Sequence, residues 1–195
     1  MTANTRDRIL DALESLLLEK GMSHVTLESV AAKAGVSKGG LLYHFKSKDA
    51  LLAGLVRRLT ERASDQLTSY TGRGQSVASW YLQTPNPDNA ADAVELAIYR
   101  SMLATMRTID AAADTEADEV QQALMDMMSS WSDGLDKEID DPVQADIVRL
   151  VGDGVYLRAL LGLPPIDPAR YRQVVDRLLG QSAKPATNRK SAAAR

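Results

Sequence analysis

The stretch TLESVAAKAGVSKGGLLYHF, from Thr26 to Phe45, constrains the fold more than any other part of the chain. It contains two short helical patterns separated only by a glycine-containing break. Thr26 and Ser37 stand where the two helices would begin, and their hydroxyls can accept hydrogen bonds from first-turn amides. Gly35 stands where the first helix would end. This spacing predicts a helix-turn-helix, two short helices joined by a tight turn.

Two adjacent glycines, Gly39 and Gly40, follow the second predicted cap. Glycine in a helix interior is about 0.8–1.0 kcal/mol less favourable than alanine. In the first turn the amides lack intrahelical partners, so this penalty is an upper bound. Small residues there would let the backbone approach base edges or phosphates closely. Taken alone, the two glycines are as consistent with simple tolerance near a helix end as with a close approach to DNA.

The residues around the glycines are rich in hydrogen-bond donors, and three of them carry a positive charge. They are Lys38, Tyr43, His44, Lys46 and Lys48. Donors of this kind position a protein on DNA phosphates. The second helix therefore has the composition of one that meets nucleic acid.

Charge is distributed unevenly along the 195 residues, whose net charge is −3. Residues 1–60 carry nine Lys and Arg against six Asp and Glu, a net +3. Residues 61–180 carry ten against twenty, a net −10, and residues 181–195 carry four basic residues and no acidic one. A polyanion such as DNA would therefore contact the basic head rather than the acidic body.

Helical periodicity continues through the rest of the chain, and no strand pattern of any length is present. It predicts helices over residues 5–20, 48–70, 77–82, 88–109, 114–137, 142–162 and 168–179. Residues 181–195 have almost no apolar mass and are predicted to be disordered. The predicted fold class is all-α, with a three-helix DNA-binding head over residues 1–47 and a larger helical body over residues 48–180.

The longer stretch TLESVAAKAGVSKGGLLYHFKSKDALL closely resembles the DNA-binding signature of the TetR family of bacterial transcriptional regulators. The resemblance covers about residues 5–55. It rests on AGVS, on the tyrosine and histidine before a phenylalanine, and on the lysine that opens the next helix. The remaining chain resembles the family only in the number and length of its helices.

The resemblance implies a role for each residue of the head. Thr26 would contact phosphate, residues 37–40 would face the major groove, and Tyr43, His44 and Lys48 would hold the DNA backbone. With Lys46, the predicted DNA-binding set is Thr26, Ser37, Lys38, Gly39, Gly40, Tyr43, His44, Lys46 and Lys48. Many relatives carry threonine or alanine where Gly40 stands. We therefore expect specificity to lean on Lys38, backbone groups, water and DNA shape.

The last two predicted helices carry wide apolar stripes, and the resemblance implies that they pair with their copies in a four-helix dimer interface. The alternative is that they only complete the core of one chain. A palindromic operator needs a two-fold protein, which favours the dimer. The predicted interface residues are Ile147, Leu150, Val151, Gly154, Val155, Leu161, Tyr171, Val174, Val175 and Leu178.

The middle helices are rich in methionine and aromatic residues, which suit a pocket for an apolar ligand. The predicted pocket residues are Trp80, Tyr99, Met102, Met106, Met125, Met128 and Trp131. At helical spacing the same residues also fit a plain hydrophobic core.

Other classes of site have little support in the sequence. There are no cysteines, and both histidines, His24 and His44, lie in the head. No serine stands in a nucleophile elbow, and no glycine pattern follows a strand. No apolar run approaches the roughly 20 residues of a membrane span, and the N-terminus does not read as a signal peptide. We expect no metal, no cofactor, no enzymatic activity and a cytoplasmic location.

The sequence therefore predicts a homodimeric transcriptional regulator, in particular a repressor released from a palindromic DNA operator by a small-molecule effector. Two alternatives remain open. One is an architectural or constitutive DNA-binding protein that has no ligand switch. The other is an all-α enzyme or interaction module whose helix-turn-helix is only structural.

Overall fold

The computed structural model describes residues 4–86, 88–109 and 117–180, and within these ranges every regular element is a helix. Side chains at position 90 and over 101–109 and 117–118 are not described. The helices are α1 (Thr5–Lys20), α2 (Leu27–Ala34), α3 (Lys38–His44), α4 (Lys48–Thr71), α5 (Val77–Tyr81), α6 (Ala90–Ile109), α7 (Ala117–Glu138), α8 (Pro142–Leu160) and α9 (Pro168–Leu178). The all-α prediction is confirmed. The predicted disordered tail lies outside the described residues.

Polar side chains fix where the head's helices begin. Ser29 N–H donates to Thr26 Oγ1 at 3.0 Å, and Thr26 N–H donates to Ser29 Oγ at 2.9 Å. The hydroxyls of Ser37 and Ser47 each accept a hydrogen bond, at 3.0 Å, from the amide three residues further on. These contacts satisfy amides that a helix start would leave free, and they confirm the caps predicted at Thr26 and Ser37.

One element was not predicted. A single 3₁₀ turn over Met22–His24 fills the connection between α1 and α2. A turn of three residues is too short to leave a periodic pattern. The His24 ring makes a 2.9 Å contact with the Lys20 carbonyl oxygen, so this turn completes the end of α1.

A hydrophobic core joins the head to the body. One buried cluster runs through α1 to α4 and continues into α6 and α7. Its fully buried side chains include Ile9, Leu13, Leu41, Leu55 and Ile98. Each such side chain contributes about 1.5–3 kcal/mol on burial. The head is therefore packed onto the body rather than tethered to it.

A second, smaller cluster lies between α5, α7 and α8, around Ala78, Leu82, Leu135 and Val148. At this point α5 and α8 approach closely, because a Cβ added at Gly152 would lie 2.8 Å from the Tyr81 carbonyl oxygen. Gly152 thus serves packing within one chain.

Candidate nucleic-acid interface

The turn between α2 and α3 is set by Gly35, whose φ of +66° lies in the left-handed region that favours glycine. Val36 N–H donates to the Ala31 carbonyl oxygen at 3.0 Å, and Gly35 N–H donates to that of Ala32 at 3.2 Å. This pair of bonds is a Schellman motif, which ends α2 within one residue. The Arg8 guanidinium donates to the Ala34 carbonyl oxygen at 2.7 Å and braces the turn against α1.

The two glycines at the start of α3 have different surroundings. A Cβ added at Gly39 would meet only the Ser37 hydroxyl, at 4.0 Å, so the backbone there is open to an approaching molecule. A Cβ at Gly40 would lie 3.2 Å from the same hydroxyl, which accepts the Gly40 N–H. Gly39 therefore fits the predicted close approach to DNA, whereas Gly40 also leaves room for the helix cap.

The predicted phosphate contacts lie on the exposed side of α3 and just beyond it. Tyr43 is 85% exposed, an unusual state for a large aromatic side chain. Its ring meets the His44 ring edge to face, with centroids 5.2 Å apart. Lys46 is exposed, and Lys48 is half-exposed at the first position of α4. These donors are therefore accessible from outside the head.

Lys38 does have a partner in the free protein. Its Nζ lies 2.6 Å from Glu28 Oε1, which joins the first residue of α3 to the first turn of α2. This hydrogen bond from Lys38 holds the pKa of the Glu28 carboxyl below its ordinary value of 4.5. Sequence reasoning missed Glu28. The available signal was an acidic residue in the first turn of a helix that is otherwise expected to face DNA.

Phe45 anchors the far end of α3. It is buried, and the Arg6 guanidinium lies over its ring, 5.4 Å from the centroid. On the other side the ring packs directly against the backbone of α4, because a Cβ at Gly54 would lie 2.5 Å from Phe45 Cε1. Leu41 is fully buried as well, so α3 packs an apolar face against the head and presents a donor-rich face to solvent.

The body carries a second exposed feature, an apolar stripe along α8. Its members are spaced alternately by four and three residues, so they lie on one face of the helix. They are Val143, Ile147, Leu150, Gly154, Leu157 and Leu161, all of them exposed. Monomeric soluble proteins rarely expose a continuous apolar patch of this kind.

Sequence comparisons identify both parts of the chain. The family described as bacterial regulatory proteins, tetR family, matches residues 9–55. The family described as Tetracyclin repressor-like, C-terminal domain, matches residues 75–183, more than half of the chain. The chain belongs to the TetR family.

Individual relatives of this TetR-family chain agree. The HTH-type transcriptional regulator PksA of Bacillus subtilis is 24% identical over 175 residues, which cover 87% of this chain and 85% of PksA. The regulator BetI of Escherichia coli K12 is 24% identical over 195 residues, covering 93% of this chain and 95% of BetI. A crystal structure of the multidrug binding protein EbrR with imidazole is 25% identical, covers 95% of this chain and 98% of EbrR, and superposes with a TM-score of 0.62.

The protein is therefore a DNA-binding transcriptional regulator of the TetR family and not an enzyme. No group of three or more His, Cys, Asp or Glu side chains converges in the described part of the chain. Among the helices described, none combines the length and apolar character that a membrane span requires.

The structure divides the predicted dimer set in two. Ile147, Leu150, Gly154 and Leu161 lie on the exposed stripe. Four others are half-buried against their own chain: Val151, Val175 and Leu178 pack on the second core cluster, and the Tyr171 hydroxyl donates to the Leu82 carbonyl oxygen at 2.7 Å. The remaining two, Val155 and Val174, are half-buried. The sequence pattern did not separate the outward face of α8 from its inward face.

The predicted pocket residues whose side chains the structure describes lie in different surroundings. Tyr99 is buried, and its hydroxyl contacts Met127 Sδ at 3.0 Å. Trp80 and Trp131 meet edge to face with centroids 6.0 Å apart. Met125 and Met128 are half-exposed on the outer side of α7, and the side chains of Met102 and Met106 lie outside the described residues. Trp80 also lines an open groove of about 410 Å³ with Tyr70 and Arg73.

Arg100, on α6, donates to the carbonyl oxygens of Ala159 and Leu160, at 2.5 and 2.9 Å. A cation at a helix C-terminus satisfies free carbonyl groups and interacts favourably with the helix dipole. Arg100 therefore ties the end of α8 to α6.

Proposed function

We propose that this TetR-family protein is a homodimeric repressor that binds a palindromic operator and is released from it by a small molecule. The observation that carries the proposal is the exposed, donor-rich face of α3, which begins with an open backbone at Gly39 and a basic residue at Lys38. The N-terminal end of the second helix is the part of a helix-turn-helix that enters the major groove.

On DNA, each residue of the predicted set would act according to its place. Ser37, Lys38, Gly39 and Gly40 would face the base edges, whereas Tyr43, His44, Lys46, Lys48 and Thr26 would hold phosphates. We take residues 1–47 as the DNA-binding unit, residues 48–180 as the body that carries ligand and dimer contacts, and the basic residues 181–195 as a tail outside both.

The exposed stripe on α8 supports the dimer. Its apolar side chains have no partner within the described part of the chain, and a second copy would cover them. A two-fold dimer places the same face of both chains in contact and presents two copies of α3. Two reading helices spaced by about 34 Å, one turn of DNA, require an operator with two-fold symmetry.

The course of α4 supports a ligand-controlled release. This helix begins beside the DNA-facing residues at Lys48 and continues into the body to Thr71, packed along α7. A small molecule held among the aromatic residues of the body would tilt α4 and change the spacing of the two α3 helices. Release requires only that the ligand bind the DNA-incompetent arrangement more tightly. EbrR, a multidrug binding protein that also crystallised with malachite green, has the same fold.

The test is a selection of bound duplexes from random DNA with the full chain at about physiological salt. The proposal predicts an enriched motif with two-fold symmetry. An unenriched pool whose binding only fades as salt rises would indicate phosphate attraction without sequence readout. The protein would then be an architectural DNA-binding protein rather than an operator-specific repressor.

Ligand release has its own test. A compound found by thermal-shift screening must weaken operator binding by the same factor by which the operator weakens binding of the compound. Compounds that stabilise the protein but leave operator affinity unchanged would contradict the switch.

A further inference from the structure

The ion pair between Lys38 and Glu28 is unusual for a surface that meets DNA. Both side chains are exposed, at 55% for Lys38 and 63% for Glu28, and the two charged atoms are 2.6 Å apart. A carboxylate on this surface repels phosphate and partly cancels the one basic side chain placed among the base readers. An exposed ion pair also contributes little to folding stability. Glu28 lies in the first turn of α2, where the helix dipole favours a carboxylate, and its place beside Lys38 makes it a candidate for readout as well.

The free hydrogen-bond donors and acceptors of the pair determine which base edges it can bind. An ammonium group has three donors, and one of them is used by Glu28, so two remain for a ligand. A carboxylate has two acceptor oxygens, and Glu28 Oε1 is the one that holds Lys38. The Thr26 hydroxyl and the Glu28 amide also lie close to this carboxylate. Each carboxylate oxygen can accept more than one hydrogen bond, so Glu28 keeps acceptor capacity for a ligand. The pair thus presents two donors beside one acceptor.

A single base pair carries the complementary pattern. In the major groove a G·C pair offers two adjacent acceptors, guanine N7 and O6, followed by the N4 amino donor of cytosine. An A·T pair instead offers an acceptor, a donor, an acceptor and a methyl group. Against A·T, the second free proton of Lys38 would face the adenine amino group, donor against donor.

We propose that Glu28 is a specificity-determining residue, and that Lys38 and Glu28 together read one G·C base pair in each half-site. Lys38 donates to guanine N7 and O6, and Glu28 accepts from cytosine N4. This inference rests on the operator binding proposed above. The backbone next to Lys38 is open, because a Cβ added at Gly39 would meet nothing closer than 4.0 Å.

The experiment compares selections from random DNA with the wild-type chain and with Glu28→Ala. A matched control is Glu19→Ala, which removes a carboxylate from a similar exposed pair in the head, Glu19 with Lys33 at 2.8 Å. The wild type is expected to select a motif with a fixed G·C pair in each half-site. In Glu28→Ala, discrimination at that position falls at least about fivefold. The Glu19→Ala motif is unchanged.

Lys38→Ala and the double variant complete the design. Lys38→Ala is expected to lose the same base preference, and adding Glu28→Ala to it is expected to change the motif no further, since the pair acts as a unit. Circular dichroism melts show that each variant is folded.

Two results would overturn the inference while leaving operator binding intact. One is a Glu28→Ala motif identical to the wild type with all affinities raised together, which would make Glu28 only a repulsive charge. The other is a wild-type motif with no G·C position that depends on Lys38. A wild-type selection without any motif would contradict the operator binding itself, and the inference with it.

Discussion

The contact between Phe45 and Gly54 sets how α3 lies against α4. Gly54→Ala would place a methyl group 2.5 Å from Phe45 Cε1, so the buried ring or the α4 backbone has to shift. Overpacking of this kind costs about 1–3 kcal/mol, against a gain of about 1 kcal/mol in helix propensity. We expect Gly54→Ala to lower the free energy of unfolding by up to about 2 kcal/mol in a denaturant or thermal melt.

The control for this substitution is Gly39→Ala, which adds the same methyl group where it meets only Ser37 Oγ at 4.0 Å. Its stability is expected to equal or exceed that of the wild type. Equal melting of Gly54→Ala and Gly39→Ala would show that the Phe45 ring does not define the position of α3.

Glu95 makes the stability of the body depend on pH. Its pKa is raised above 4.5, mainly by burial, and its Oε1 accepts a hydrogen bond from the Tyr156 hydroxyl at 3.1 Å. The folded state therefore keeps this proton to higher pH than the unfolded chain. Since the folded state binds more protons in that interval, the free energy of unfolding falls as pH rises from 4.5 through the raised pKa.

Glu95→Gln retains the acceptor for Tyr156 and removes the charge. We expect it to melt above the wild type at pH 7.5, with a difference that shrinks as pH is lowered toward 4.5. Glu119→Gln, at an exposed position on α7, serves as the control and is expected to show no such trend. A difference in melting temperature between Glu95→Gln and the wild type that stays constant from pH 5 to 7.5 would contradict the raised pKa of the Glu95 carboxyl.

Single residues also show which structural roles could be predicted from the sequence. Thr26, Ser37 and Gly35 were predictable because capping and left-handed turns depend on neighbours in sequence. The pairing of Glu28 with Lys38 was not predictable, and neither was the exposure of Met125 on α7. Both depend on which helices pack together. Helical spacing shows that residues share a face and does not show what that face meets.

Among the elements, α1 and α4 are held together by an ion-pair network around Arg58. This side chain is 11% exposed, and its guanidinium lies 2.6 Å from Asp11 Oδ1 and 2.7 Å from Glu14 Oε2. Arg58→Met would leave the poorly exposed Glu14 with Arg62 alone. Removing one partner of a largely buried pair is destabilising, and we expect a loss of about 1–3 kcal/mol in a denaturant melt.

The comparison variant is Lys33→Met, which breaks the more exposed pair with Glu19. We expect it to change stability by less than about 1 kcal/mol. If Arg58→Met were as mild as Lys33→Met, α1 would not depend on α4 through this network.

The stripe on α8 gives a prediction about assembly. Leu150 is 70% exposed in the single chain, so Leu150→Glu disturbs no packing within it. In the proposed dimer the same substitution buries one carboxylate from each chain, which is costly. We expect a folded monomer by sedimentation, whereas Leu18→Glu, at an exposed leucine of α1, remains a dimer. A dimeric Leu150→Glu would place the interface elsewhere.

The elements themselves were the most predictable level. The spacing of apolar residues and the Gly and Pro breaks predicted all nine helices that the structure describes, including the five-residue α5. The two faces of α8 could not be told apart from the sequence, because apolar residues cover most of the helix. Tertiary packing, such as that of Val148 and of Gly152 against Tyr81, shows which side is inward. The 3₁₀ turn left no periodic signal.

At the scale of the whole molecule, the shared core explains how the head and the body can communicate. The buried cluster passes from α1 through α4 into α6 and α7, so in the proposed switch a shift of α4 in the body would move the head with it. A single chain offers one α3, and sequence-specific binding of a palindrome needs two. The central claim is therefore that two chains, joined through α8, act on one DNA site.

Sedimentation of the protein with its selected duplex tests this claim most directly. We expect two chains per full-site duplex, and an affinity for a half-site duplex that is at least about 100-fold weaker, because only one α3 can read it. Leu150→Glu is expected to lose this advantage of the full site. One chain per duplex, with equal affinity for full and half sites, would contradict the account.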